Sequence, residues 1–145
     1  MTIVGVAGLL LAGRRTRQRL QASSARKSMK MTALRAYLAV VLACLAGYTL
    51  VVGLEHGWNL LPVFFSNIAE MNWSGQFNLD FMTFLGLSGI WVAWRHRFTA
   101  GGIGLGIVAF FGGMMFLAPY LLWASARARG DAAVLLLGEG RARSA

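Results

Sequence analysis

Four side chains that could do chemistry, Glu55, His56, Glu70 and Asp80, fall in one stretch of the chain, with Asn78 beside the last of them. Histidine with carboxylates is a common ligand set for divalent transition metals, and the same groups at a membrane surface could line the mouth of a transport path. The spacing offers little more. There is no HExxH, no paired histidine and no CxxC, so the zinc patterns are missing. Acyl transfer has no GxSxG to work from, and His96 stands apart between Arg95 and Arg97. The bland roles are equally specific. His56 suits the negative end of a helix, and Asp80, with Asn78 as N-cap, suits the first turn of one. The sequence therefore assigns no catalytic residue, no cofactor and no metal. It leaves Glu55, His56, Glu70, Asn78 and Asp80 as one candidate polar site and leans away from an enzyme.

The elements that must position these residues are apolar. Of 145 residues 57% are hydrophobic and only 13% charged, against roughly 25% charged in ordinary globular domains, so a membrane is the natural solvent. Residues 36–54 carry no charge and are long enough, at about 1.5 Å per residue, to cross a hydrocarbon core of roughly 30 Å. Residues 100–123 have no ionisable side chain except Tyr120 and form a second such run. Between them, 79–94 is shorter, but Trp91 and Trp94 followed by Arg95, His96 and Arg97 give the aromatic-then-basic order found where a helix leaves the bilayer. The expectation is an all-α integral membrane bundle of three transmembrane helices. Residues 62–72 add a short interfacial helix, with Pro62 in its first turn and Trp58 and Trp73 at headgroup depth. Pro119 should bend the last turn of the third span.

Charge sets the orientation. Residues 1–35 contain eight Lys or Arg and no acid, residues 36–78 contain only Glu55 and Glu70, and the remainder sets six Arg against Asp80, Asp131 and Glu139. With three spans, the N-terminus and the 95–99 turn share the basic side, which the positive-inside rule puts in the cytoplasm. One tension remains: Arg127 and Arg129, directly after the third span, fall on the outer side, and an even number of spans would relieve it. Residues 1–30 read as a basic extension that is disordered or interfacial, and 125–145 as a polar tail. Translation starting at Met29 or Met31 instead of Met1 would leave only Lys30 and Arg35 ahead of the first span. The cluster at 14–19 could hold anionic headgroups at ~1 kcal/mol per residue. Residues 13–30 lack aromatics, so no nucleic-acid role is expected.

Helix association in a membrane rests on close packing of small residues. Ala36, Ala39, Ala43 and Gly47 form a stripe on the first span, Gly86, Gly89 and Ala93 on the second, and Gly102, Gly106, Ala109 and Gly113 on the third, including a GxxxG. Cys44, the only cysteine, lies in the first span as a small packing residue.

From Asn72 onward, the strings NWSGQFNLDFMTFLGLSGIWVAWRHRF, GGIGLGIVAFFGGMMFLAPYLL and GDAAVLLLG resemble a class of small, uncharacterised bacterial multi-pass inner-membrane proteins. The resemblance covers residues 72–138. It implies a bacterial inner-membrane location and brings no activity or catalytic residue. The expected function is an accessory, scaffolding or assembly subunit acting by helix packing, with the lipid bilayer and other membrane proteins or a second copy as partners. A small transporter with an outer mouth near Asp80, or a membrane enzyme with an outer-face site, are the alternatives.

Overall fold

The computed structural model describes the backbone of residues 3–143 and the side chains of residues 30–143; the basic side chains from Arg14 to Lys27 lie outside that description. The described chain is helical throughout, without strands: α1 (Ile3–His56), α2 (Leu60–Ala69), α3 (Trp73–Arg95), α4 (Ala100–Ala128), α5 (Ala132–Leu137) and α6 (Glu139–Ala142). Lys30–His56 and Ala100–Ala128 each have the residue count and apolar content of a membrane-crossing helix. Neither is the core helix of a globular domain, because only 11% of the apolar window of the first and 22% of the second is buried. The apolar side chains point outward.

Local chemistry fixes the helix ends. Asn72 caps α3, its side chain accepting from the Gly75 N–H at 2.9 Å, and Thr99 caps α4 by accepting from Gly102 at 3.2 Å. Asp131 caps α5 by accepting from Ala133 and Val134. These short polar side chains satisfy N–H groups that have no partner within the helix. The third element therefore begins at Trp73 rather than at 79, because Asn72 and not Asn78 is the cap. Asn78 instead donates to the Phe64 carbonyl of α2 at 3.2 Å. The short helix also sits earlier than 62–72: it starts at Leu60 and stops at Ala69, before Met71 turns to a left-handed φ of 52°. Gly75 lies hard against the Asn67 carbonyl, where no Cβ would fit, which seats α2 on the start of α3.

The largest departure from the sequence expectation lies in α4. Gly113 has φ 50° and ψ −139°, the one non-helical residue inside the element. It divides the element into residues 100–112 and 114–128, about 20 and 22 Å long. The second half runs back beside the first. Gly106 meets Gly89 of α3, while the Tyr120 ring lies 6.2 Å from that of Trp91, so residues 106 and 120 stand at the same turn of α3. In a straight helix they would be about 21 Å apart. The tip lies level with Leu85, whose Cδ2 would be 3.2 Å from a Cβ on Gly113, near the middle of α3. Neither half alone is long enough to cross about 30 Å, so residues 100–123 do not form the single straight span expected. The break falls at the Gly112–Gly113 pair, a known site of kinks, and not at Pro119, which sits within the returning half.

Packing follows from this hairpin, with α4 between α1 and α3 and α5 folded under it. Val92 and Ala109 are fully buried and pack with the nearly fully buried Tyr120, flanked by Leu105, Phe116 and Leu117. At the basic end Met31 of α1 packs with Ala124, Ala128 and Leu135. The residues after 124 complete α4 and supply α5 and α6, and part of this segment is core.

Candidate functional site

The polar residues singled out by the sequence stay apart. Glu55 and His56 are neighbours on an exposed helix end, 4.0 Å between charged atoms with side chains 66% and 73% exposed. Glu70 accepts from Asn72 at 2.7 Å. Asp80 is exposed in the interior of α3, not in its first turn, because the helix starts seven residues earlier. Among the described residues no group of three metal-ligating side chains is assembled. Glu55, His56, Glu70, Asn78 and Asp80 therefore share an end of the molecule without forming a site.

The packing residues divide in two. Gly89, Ala93, Gly102, Gly106 and Ala109 are all buried and brought together where α3 crosses the first half of α4. A Cβ on Gly89 would stand 2.7 Å from the Gly106 carbonyl oxygen, and one on Gly106 would stand 2.6 Å from that of Gly89. Gly86 meets nothing. On α1 the stripe Ala36, Ala39, Ala43 and Gly47 faces outward. That helix docks through its larger side chains instead, Met31, Leu34 and Leu38, because the α4 surface it meets is lined by alanine and serine and leaves room for them. Cys44 is exposed on the same helix.

The chemistry of the fold gathers at the opposite end, around Tyr120, which sequence reading passed over. The hairpin returns this residue to the end of α3, where its hydroxyl accepts from Arg95 Nη1 at 3.0 Å and lies 2.9 Å from His96 Nε2. The arrangement is self-consistent when the hydroxyl donates to an unprotonated Nε2. Burial, and then the Arg95 charge, hold the His96 pKa below its ordinary value. Arg95 also donates through Nε to the Leu135 carbonyl at 2.9 Å and through Nη2 to that of Val134 at 3.3 Å, satisfying the open end of α5. Arg97 donates to the Gly140 carbonyl at 2.6 Å. Arg35 of α1 donates to Ser125 through Nε at 2.9 Å and to its carbonyl through Nη2 at 2.6 Å. Three helices and the tail are thus laced together by guanidinium groups that bond neutral acceptors. The one signal of this in the sequence was the position of Arg127 and Arg129.

Two tests arise here. Tyr120→Phe leaves part of the Arg95 fork without an acceptor and is expected to cost about 1 to 3 kcal/mol, read by equilibrium unfolding in mixed micelles. His96 sets a pH dependence. Its protonation is easier in the unfolded chain, so its stability contribution is complete above the ordinary histidine pKa near 6.5 and is lost as the pH falls below it through the folded-state value. His96→Gln should flatten that acid slope.

Beside this network lies a cleft of about 240 Å³ lined by Arg95, His96, Arg97, Trp123, Arg127 and Glu139, among others. It adjoins a wider groove bearing Arg129 and Arg143. Comparison with protein families, with curated proteins and with solved structures finds no match for the chain.

Proposed function

We propose that the chain is a small integral membrane protein with two crossings, α1 and α3, and a hairpin, α4, that enters and leaves on the same side. It works as an accessory, scaffolding or assembly subunit through helix packing. The observation that carries the topology is the reversal at Gly113. It returns Arg127 and Arg129 to the end that already holds Lys30, Arg35, Arg95 and Arg97, and leaves Glu55, His56 and Glu70 at the other. By the positive-inside rule the basic end is cytoplasmic, in the bacterial inner membrane that the resemblance implies. Two crossings remove the tension that three would create.

The packing role is supported by what the long helices carry. Proton and ion coupling need ionisable groups at depth, with partners to relay through. Asp80 is the one carboxylate in the interior of α3, and the hairpin tip adds none to it: the tip meets Phe81 and Leu85, and the crevice beside it is lined by Phe84, Met114 and Leu117. Beyond Leu45, every residue of α1 except Gly53 is exposed, so half of a crossing helix has only lipid or another helix to pack against.

Reporter fusions after Asn72, Arg97 and Arg143 test the topology. The first should report the outer side and the other two the cytoplasm; an outer signal after Arg143 restores three crossings. Purification in gentle detergent should retain a partner or a second copy, and a clean monomer would sink the packing role.

A further inference from the structure

The geometry points to a phosphate-binding site in the cationic cleft between the end of α3, the end of α4 and the α5–α6 turn, with Arg127 as its principal donor. The phosphate is that of an anionic lipid headgroup or of a free phosphate ion. Three guanidinium groups, Arg95, Arg97 and Arg127, line one cleft with Glu139 as the only carboxylate. None of the three forms an ion pair with a described carboxylate. His96 adds no opposing charge, and its preference for the neutral form keeps the balance at an excess of two positive charges in the wall.

The three arginines differ in what they have left to give. Arg95 has spent its fork on Tyr120, Leu135 and Val134, and Arg97 has committed one nitrogen to Gly140. The Arg127 side chain makes no hydrogen bond to any described residue; its guanidinium lies over the Trp123 ring, 4.5 Å from the centroid. A guanidinium stacked in this way keeps its N–H edge in a fixed plane, pre-organised for the two oxygens of a phosphate. Arg95 and Arg97, fixed by backbone carbonyls, contribute field without having to move. The space, about 240 Å³, equals about eight water volumes at ~30 Å³ each, enough for a tetrahedral anion with some of its hydration. Trp94 and Trp123 place the cleft at the depth where aromatic rings favour the headgroup layer, and basic pockets between helices on the cytoplasmic side are a recurrent way to hold anionic headgroups.

The inference stands on the cleft and is independent of the accessory role; only the cleft's placement at the headgroup layer rests on the topology proposed above. It is tested on the full-length protein in a zwitterionic detergent, by following the thermal unfolding midpoint during titration with short-chain phosphatidylglycerol, short-chain phosphatidylcholine and inorganic phosphate. Phosphatidylglycerol should raise the midpoint and phosphatidylcholine should not. A rise with inorganic phosphate as well assigns the free ion. Arg127→Gln should weaken the apparent affinity about tenfold or more, over and above the small drop in ligand-free midpoint that follows from losing the Trp123 stacking. Arg127→Lys, which keeps the charge without the planar fork, should restore only part of it. Lys30→Gln, on the same end outside the cleft, should bind as the parent does. No midpoint shift with either anion overturns the site, as does equal weakening by Arg127→Gln and Lys30→Gln, which would reduce the effect to general surface charge.

Discussion

Gly113→Val is expected to break the α4 hairpin. A backbone at φ 50° and ψ −139° is a conformation in which only glycine is at ease, and a β-branched residue is the least able to follow. The backbone alone costs about 1 to 3 kcal/mol, and the new side chain starts 3.2 Å from Leu85 Cδ2, which adds overpacking of about 1 kcal/mol or more. The chain has an alternative. Residues 100–128 are apolar along their length, and a straight helix of that size reaches about 43 Å, ample for a crossing. The substitution therefore has two readouts: a stability loss of about 2 to 4 kcal/mol, and transfer of a reporter after Arg143 to the outer side in a fraction of molecules. Gly104→Ala is the control, because its Cβ enters open space and should gain up to about 1 kcal/mol of helix propensity. An unchanged midpoint together with an unchanged reporter would show that Gly113 does not hold the turn.

Gly106 should be nearly as sensitive for a different reason. Its neighbour is the backbone carbonyl of Gly89, not a side chain that could swing away. Any Cβ at either position must push α3 and α4 apart as rigid bodies, which opens the contact that buries Val92 and Ala109. Gly106→Ala is expected to cost about 1 to 3 kcal/mol, and Gly106→Leu to abolish the folded state in detergent. Gly86→Ala, one turn along the same stripe of α3 but with nothing within 4 Å, should be neutral. Equal effects at 86 and 106 would mean that the approach of the two backbones contributes nothing special.

These two glycines mark where the sequence could and could not be read. Gly89, Ala93, Gly102 and Gly106 form short small-residue stripes, and a stripe is visible in one dimension because it depends only on helical spacing. Gly113 fell on the same stripe and looked like one more packing residue, since nothing in a Gly–Gly pair within an apolar run states whether it serves close contact or reversal. Pro119 was a decoy: a proline bends a helix, but the returning half tolerates it while the glycine before it does the turning. The outward stripe Ala36, Ala39, Ala43 and Gly47 shows the converse. Small residues permit close approach without requiring it, and α1 met its neighbour with Met31 and Leu38 because the other surface was the small one. Tyr120 was illegible for lack of a local pattern; its partners Arg95 and His96 are some 25 residues away and reach it only through the reversal. The cue available in advance was electrostatic, in Arg127 and Arg129 on the wrong side of a three-span topology.

The reversal at Gly113 also gives the molecule unequal halves. Next to the basic end, four helical segments lie side by side: α1, α3 and the two limbs of α4. Past the tip only α1 and α3 continue, with α2 folded against the far end of α3, and neither limb of the hairpin extends between them. Each helix occupies a cylinder about 10 Å across, so the cross-section shrinks markedly between one leaflet and the other. In the topology proposed above, such a wedge would displace more lipid from the cytoplasmic leaflet than from the outer one, and a membrane crowded with it would relax by bending.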